Sequence, residues 1–339
     1  MRKNVYIAWT RYMRRPESLQ RLLDFEVTFI EPISENRALK FLGYFISVFS
    51  TLKVACERRP ETLWLQLAPS ILLYPAFLYK WLFCRDVLIV ADCHNGLLRA
   101  RWLNLPFVKR LLSKCDLVLF HNSMVLARAR ILGITGDHVR LLHTPPAVPS
   151  LRVAEPPALA VNLGAPFALV PGSFRSDEPV SVVLDAASRL PHLMFVLTGD
   201  RTVAARNHDL RDLPSNVILT GFVPTAALDW LLAHAAVVIA LTKHLDVELS
   251  AGNEALGFGR PLVVTDSEVS RDLFSDYSVM VDPQSVDSLT AGIEQALEGK
   301  ASIQERSEEL KKRRFALSRR ETEAIMKQLS YRPIQSDGK

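Results

Sequence analysis

Apolar residues recur along the chain in two alternating spacings. Short continuous runs of aliphatic and β-branched residues lie at 4–8, 26–30, 63–67, 86–91, 116–120 and 139–143. Runs this short and apolar at successive positions predict strands of a parallel sheet buried on both faces. Amphipathic stretches with helical spacing lie between them, for example 106–114 and 123–132, the latter stopped by Gly133. A second series begins at 167–171 and continues at 194–198, 216–220, 236–241, 262–265 and 278–281. Helical patterns at 179–190, 225–234, 253–258 and 285–298 separate those runs. The alternation predicts an α/β protein with two doubly wound, Rossmann-like domains.

Between the two series, 143–166 has little periodicity and holds Pro145, Pro146, Pro149, Pro156, Pro157 and Pro166. It reads as a linker. The expected organisation is therefore a first domain at 1–145, a Pro-rich linker at 146–166 and a second domain at 167–302. One or two closing helices follow at 303–330, then a tail at 331–339. Paired domains of this kind face one another across a cleft, with ligand at the carboxyl ends of their strands.

Composition changes the picture in one respect. The 339-residue chain is 49% hydrophobic and 23% charged, as globular proteins are. Its net charge of +5 is unevenly spread: residues 1–150 carry 21 Lys and Arg against 11 Asp and Glu, leaving the remainder acidic. A basic half suits nucleic acid or an anionic membrane. No zinc finger, RNA-binding signature or Lys/Arg block of five or more occurs, so no nucleic-acid partner is expected. The windows 41–52 and 67–84 are unusually apolar, yet the first is short and the second contains Pro69, Pro75 and Lys80. Tyr74, Tyr79 and Trp81 beside Lys80 suit a helix at a lipid interface, and burial against a sheet is the other reading.

Cys56, Cys84, Cys93 and Cys115 show neither C-x-x-C pairing nor zinc spacing, which fits small apolar fillers in a reducing compartment. The N-terminus has no apolar core before a cleavage site. A cytoplasmic protein, peripheral on the inner membrane face, is the expectation. G-x-G-x-x-G and G-x-x-x-x-G-K-[ST] are both absent, which removes support for dinucleotide and P-loop sites.

The stretch "DVELSAGNEALGFGRPLVVTD", 246–266, carries the chemistry. It follows a strand and opens a helix near Ser250, whose free N–H groups and dipole suit a diphosphate. Ala251 and Gly252 are expected to leave that approach open. Glu254, placed in the first turn, and Asp246, on the preceding loop, can accept hydrogen bonds from hydroxyls at two ends of one ligand. Glu254 as a complement to the dipole, with Asp246 solvated, is the other reading of the same residues.

An acid, seven residues, Glu-Ala and then Gly-Arg-Pro-Leu-Val-Val-Thr resembles the nucleotide-sugar motif of glycosyltransferase family 4 and its GT-B-fold relatives. "LTGD" (197–200), "NVILTGFV" (216–223) and "LDWLLAHAAVVIALT" (228–242) agree in order. The resemblance covers roughly 165–298. It implies that Glu254 holds the ribose, Asp246 the donor sugar, and the backbone at Gly221, Phe222 and Val223 the base. Asp246 is shorter than the Glu of that family, and Glu248 is the alternative acid. The family's Arg and Lys for the diphosphate correspond to Arg175 and to Glu178, an acid. Diphosphate charge then rests on Arg175, Lys243 and the helix start at Ser250, Ala251, Gly252 and Asn253.

The turn "SFRSDEP" (173–179) looks more like relatives of the chitobiosyldiphosphodolichol mannosyltransferase, which invert, whereas family 4 retains. In the first half, resemblance implies that His94 contacts the transferring sugar, with Asp92 as a base. Thr10, Arg11 and Arg14 take the place of a Gly-rich loop. No D-x-D is present, and a metal-free reaction without a cofactor is expected, the nucleotide sugar being co-substrate. The acceptor implied is a glycan or a lipid-linked sugar such as a polyprenyl diphosphate, in cell-surface polysaccharide or glycolipid synthesis. Two rivals stand beside this reading: a non-catalytic transferase-like subunit, and a sugar epimerase of the same architecture.

Overall fold

The computed structural model describes residues 4–31, 37–148 and 166–330. The first unit runs β1 (Asn4–Ala8), α1 (Arg14–Leu23), β2 (Phe25–Phe29), α2 (Arg37–Arg58), β3 (Thr62–Leu67), α3 (Leu73–Leu82), β4 (Leu88–Cys93), α4 (Ala100–Leu103), α5 (Val108–Leu112), β5 (Leu117–Phe120), α6 (Ser123–Ile131) and β6 (Val139–Leu141). The second runs β7 (Phe167–Pro171), α7 (Val180–Arg189), β8 (Met194–Thr198), α8 (Arg201–Asn207), β9 (Val217–Gly221), α9 (Thr225–His234), β10 (Val237–Ala240), α10 (Ser250–Gly257), β11 (Leu262–Thr265), α11 (Glu268–Phe274), β12 (Ser278–Val281) and α12 (Val286–Glu298). α13 (Lys300–Ser330) closes the chain.

Each unit holds one six-stranded sheet, ordered β2-β1-β3-β4-β5-β6 and β12-β11-β10-β7-β8-β9. All pairings are parallel. The expected doubly wound architecture is the one observed, and each apolar run becomes a strand because helices cover both sheet faces. One face of the first sheet gathers Val5, Ile7, Leu63, Leu65, Ile89 and Val118 under α3, α5 and α6. The other gathers Tyr6, Trp64, Val90 and Leu119 with Leu19 of α1 and Ile325 and Leu329 of α13. Caps fix the helix starts: the Asn122 side chain accepts from Val125 N, Asp200 from Thr202 N, and Ser267 from Ser270 N. Cys93 and Cys115 are buried in the first core, as the filler reading requires, and burial pushes both thiols up.

The chain divides at Pro145 and Pro146, and most of the expected linker, 149–165, lies outside the described residues, as does the tail from 331. At the end of the chain, the one or two closing helices expected are one. α13 is one 31-residue helix whose portion up to Phe315 groups with the second unit and whose portion from Ala316 groups with the first. Its buried positions are Ile303, Ser307, Leu310, Arg314, Ser318, Thr322, Ile325 and Leu329. Half of that stripe is Ser, Thr or Arg, which hides the helical period from an apolar count. Among the described residues no helix is long and apolar enough to cross a membrane.

The second unit starts close against α10. Ala147 N donates to Asn253 O at 3.0 Å, and a Cβ built on Gly257 would lie 1.9 Å from Ala147 O. Neither backbone segment can yield, so Gly257→Ala is expected to destabilise the unit by at least about 2 kcal/mol in urea unfolding.

Candidate functional site

In an open α/β sheet, polar chemistry gathers where the strand order reverses, outside the carboxyl ends of the strands. In the second sheet that reversal lies between β7 and β10, which pair directly through Val237–Ala168 and Val238–Leu169. The loops leaving these two strands, 172–179 and 241–249, are knitted together. Lys243 N donates to Asp177 O at 2.7 Å, and Thr242 Oγ1 to Asp177 Oδ2 at 3.3 Å.

α10 opens at Ser250 after Leu249, whose side chain offers no cap. Glu254 is its fifth residue, one position beyond the first turn, so the expectation of a first-turn acid is corrected by one residue. It is only 5% exposed. Gly252 also has a different reason from the one expected: a Cβ there would meet the Phe274 ring at 2.7 Å. The glycine lets α10 pack on α11. Glu248 accepts from Asn253 Nδ2 at 2.7 Å and is half-buried, while Asp246 and Lys243 are exposed. Of the two loop acids, Glu248 is therefore tied to the helix start and Asp246 is the more exposed.

At the end of β9, Gly221 takes φ +80, and the Arg201 side chain lies 3.7 Å from the position of its missing Cβ. Phe222 follows, 49% exposed, an aromatic face at the same sheet edge as Glu254. The loop after β7 carries Arg175, exposed, and Glu178. The Glu178 carboxylate accepts from Ser173 N at 3.0 and 3.1 Å, from Phe174 N at 2.9 Å and from the Ser173 hydroxyl.

The first unit's candidates form a separate cluster at the end of β4. Asp92 is 0% exposed. Arg15 meets it through Nε at 3.0 and 3.2 Å and Nη2 at 2.9 Å, and Tyr6 donates to it at 2.7 Å. Burial pushes this carboxyl upward, but the charge and hydrogen bonds of Arg15 outweigh burial and hold it at about 2. An acid so held is a poor proton acceptor, so the expectation of Asp92 as a base is replaced by that of an anchor. His94, next along, stacks on His121 with centroids 5.2 Å apart, and His94 N donates to Leu67 O at 2.6 Å. The Thr10–Arg14 loop turns to local partners, with an ion pair Arg11–Glu31 and a hydrogen bond from Tyr12 to Glu17.

Arg15 escaped the sequence reading. Two arginines open α1, where the helix dipole disfavours cations; Arg14 pairs with Glu17, and Arg15 reaches the buried Asp92. Arg201 escaped it as well. Among the described residues, no three His, Cys, Asp or Glu side chains gather as a metal cluster.

Residues 153–314 match the family described as glycosyl transferases group 1. No curated protein matches the chain in sequence. Similar solved structures include sucrose-phosphate synthase from Thermosynechococcus elongatus, with TM-score 0.71 and 15% identity over 97% of this chain and 98% of that one. HepE of Anabaena in complex with UDP-glucose has TM-score 0.70 and 13% identity over 96% and 100%. Trehalose-6-phosphate synthase OtsA has TM-score 0.70 and 10% identity over 98% and 99%. At these identities the likeness is one of fold: two six-stranded parallel sheets with their helices, as in the two Rossmann-like domains of GT-B proteins.

The Arg15–Asp92 pair makes a direct prediction. Asp92→Asn leaves a buried guanidinium uncompensated and should cost about 3–5 kcal/mol at pH 7. The folded acid lies below its ordinary 3.8, so its contribution is present above that value and is lost as pH falls toward about 2. Denaturant unfolding of both proteins should show the gap narrowing across that window.

Proposed function

We propose that this chain, a glycosyltransferase by its second-unit domain and its two-sheet fold, takes a nucleoside-diphosphate sugar at the carboxyl edge of β7 and β10. The observation that carries the reading is Glu254, an acid kept 5% exposed on the helix that opens at the strand reversal. A carboxylate at that edge accepts hydrogen bonds only, which matches the two hydroxyls of a ribose diol. Phe222, with Gly221 and Val223, offers a face and backbone to the base. Ser250, Ala251 and Asn253 offer backbone N–H groups, and Arg175 and Lys243 offer charge, for the diphosphate. Asp246, or Glu248 if it leaves Asn253, receives the sugar hydroxyls.

The bond broken joins the anomeric carbon to the diphosphate oxygen. Fixed N–H groups and cations near that oxygen stabilise it as it departs. His94 is the first unit's candidate for the transferring sugar. The family 4 resemblance favours retention at the anomeric carbon. HepE, a structural neighbour, is described in complex with UDP-glucose, which supports a nucleotide sugar as donor.

The acceptor in this proposal sits at a membrane surface. α2 exposes Leu42 (56%), Phe45, Ile46 and Phe49 (68%) at helical spacing, and the end of α3 exposes Trp81, Leu82 and Phe83. Lys114 lies over the Trp81 ring, and Lys53 continues the exposed face of α2. Apolar anchors beside cations suit an anionic bilayer, and a lipid-linked acceptor follows from such a location. A second reading, a non-catalytic partner that binds the nucleotide sugar, draws on the acid at 178. Sugar transfer measured with lipid-linked and soluble acceptors separates the two.

Calorimetry with UDP-, GDP- and ADP-sugars should find one base that binds, and Glu254→Ala should weaken it by about tenfold or more, the worth of a hydrogen bond to a charged group. Binding of none of the three would sink the donor reading. For the membrane face, Phe49→Glu and Trp81→Glu should each lower co-sedimentation with phosphatidylglycerol vesicles while leaving nucleotide binding intact. Unchanged sedimentation would remove the membrane from the proposal.

A further inference from the structure

The loop after β7 holds an anion already. Ser173 N and Phe174 N point at one place, helped by Phe174 at φ +52, and the Ser173 hydroxyl joins them. Successive N–H groups beside a left-handed residue form a concave seat for an anion. Gly172 leaves the approach clear of any side chain, and Glu178 Oε2 fills that space, 2.7 Å from where a Cβ would be. The occupant is the chain's own carboxylate.

The loop does not need Glu178 for its shape. Phe174 O accepts from Asn207 Nδ2 at 2.9 Å and faces His208 Nε2 at 3.1 Å. Asp177 is held by Lys243 N and Thr242. These bonds anchor the seat from both sides without the glutamate, which is itself only half-buried.

We propose that Gly172–Phe174 is a seat for a phosphate of the donor, and that Glu178 is its intramolecular occupant while the site is empty. This rests on the donor reading above and deepens it. A phosphate and a carboxylate cannot share two N–H groups without like charges in contact, so one replaces the other. Binding then selects ligands that bring contacts elsewhere along the edge, at Glu254 and at the start of α10. A nucleoside diphosphate does so; free phosphate does not. The acid in a position where a cation was expected thereby becomes a determinant of which anions enter.

The test is calorimetric titration of UDP, GDP, ADP and inorganic pyrophosphate into wild type, Glu178→Ala, Glu178→Gln and Ser173→Ala, each checked for folding by circular dichroism. For the nucleotide that binds wild type, Glu178→Ala should bind about tenfold tighter, with Glu178→Gln between, because a competing charged acceptor is gone. Pyrophosphate should gain likewise, and Ser173→Ala should weaken both. Folded Glu178→Ala with unchanged or weaker affinity would overturn the seat and make the carboxylate a brace of the loop. Pyrophosphate gaining on Glu178→Ala while no nucleotide binds any protein would uphold the seat and reject the donor reading. Silence from every ligand on every variant would reject both.

Discussion

A parallel sheet buried on both faces has no room for polar side chains except where its strands end. Both sheets here obey that constraint, and it sorts the chain's chemistry by position. In the second unit, the strand reversal between β7 and β10 leaves two loops and a helix start at one edge, and there Glu254, Glu248, Asp177 and Glu178 gather. In the first, Asp92 is the last residue but one of β4, and Arg15 and Tyr6 fill its oxygens there. The same rule thus yields a polar edge in one unit and a sealed ion pair in the other.

The strands were legible because burial on both faces makes each one a short continuous apolar run, whereas the apolar windows of α2 and α3 are longer. Short helices such as α10 were legible from their flanks: the loop acids before Ser250 and the Gly259-Arg260-Pro261 stop. α13 was legible as helix, but whether as one or two was left open, because Ser307, Arg314, Ser318 and Thr322 occupy its inward stripe.

The candidate site was legible in kind and less so in detail. The spacing of Asp246 and Glu254 located the edge, yet it could not tell that Glu248 would be fastened to Asn253 or that Gly252 answers to Phe274. Both facts depend on residues far along the chain or on a rotamer, and local pattern carries neither. Asp92 shows the same limit in stronger form. Its partner lies 77 positions earlier, and only the pairing of strands brings the two together.

The path of α13 has a consequence for synthesis. Tyr6 and Trp64 present an apolar sheet face that Leu19 of α1 covers together with Ile325 and Leu329, and those last two residues are among the last of the described chain to be made. A nascent first unit emerging from the ribosome therefore has its strands and α1 but not the end of α13. It must wait through the making of the entire second unit with that face only partly covered, an interval in which such surfaces attract chaperones.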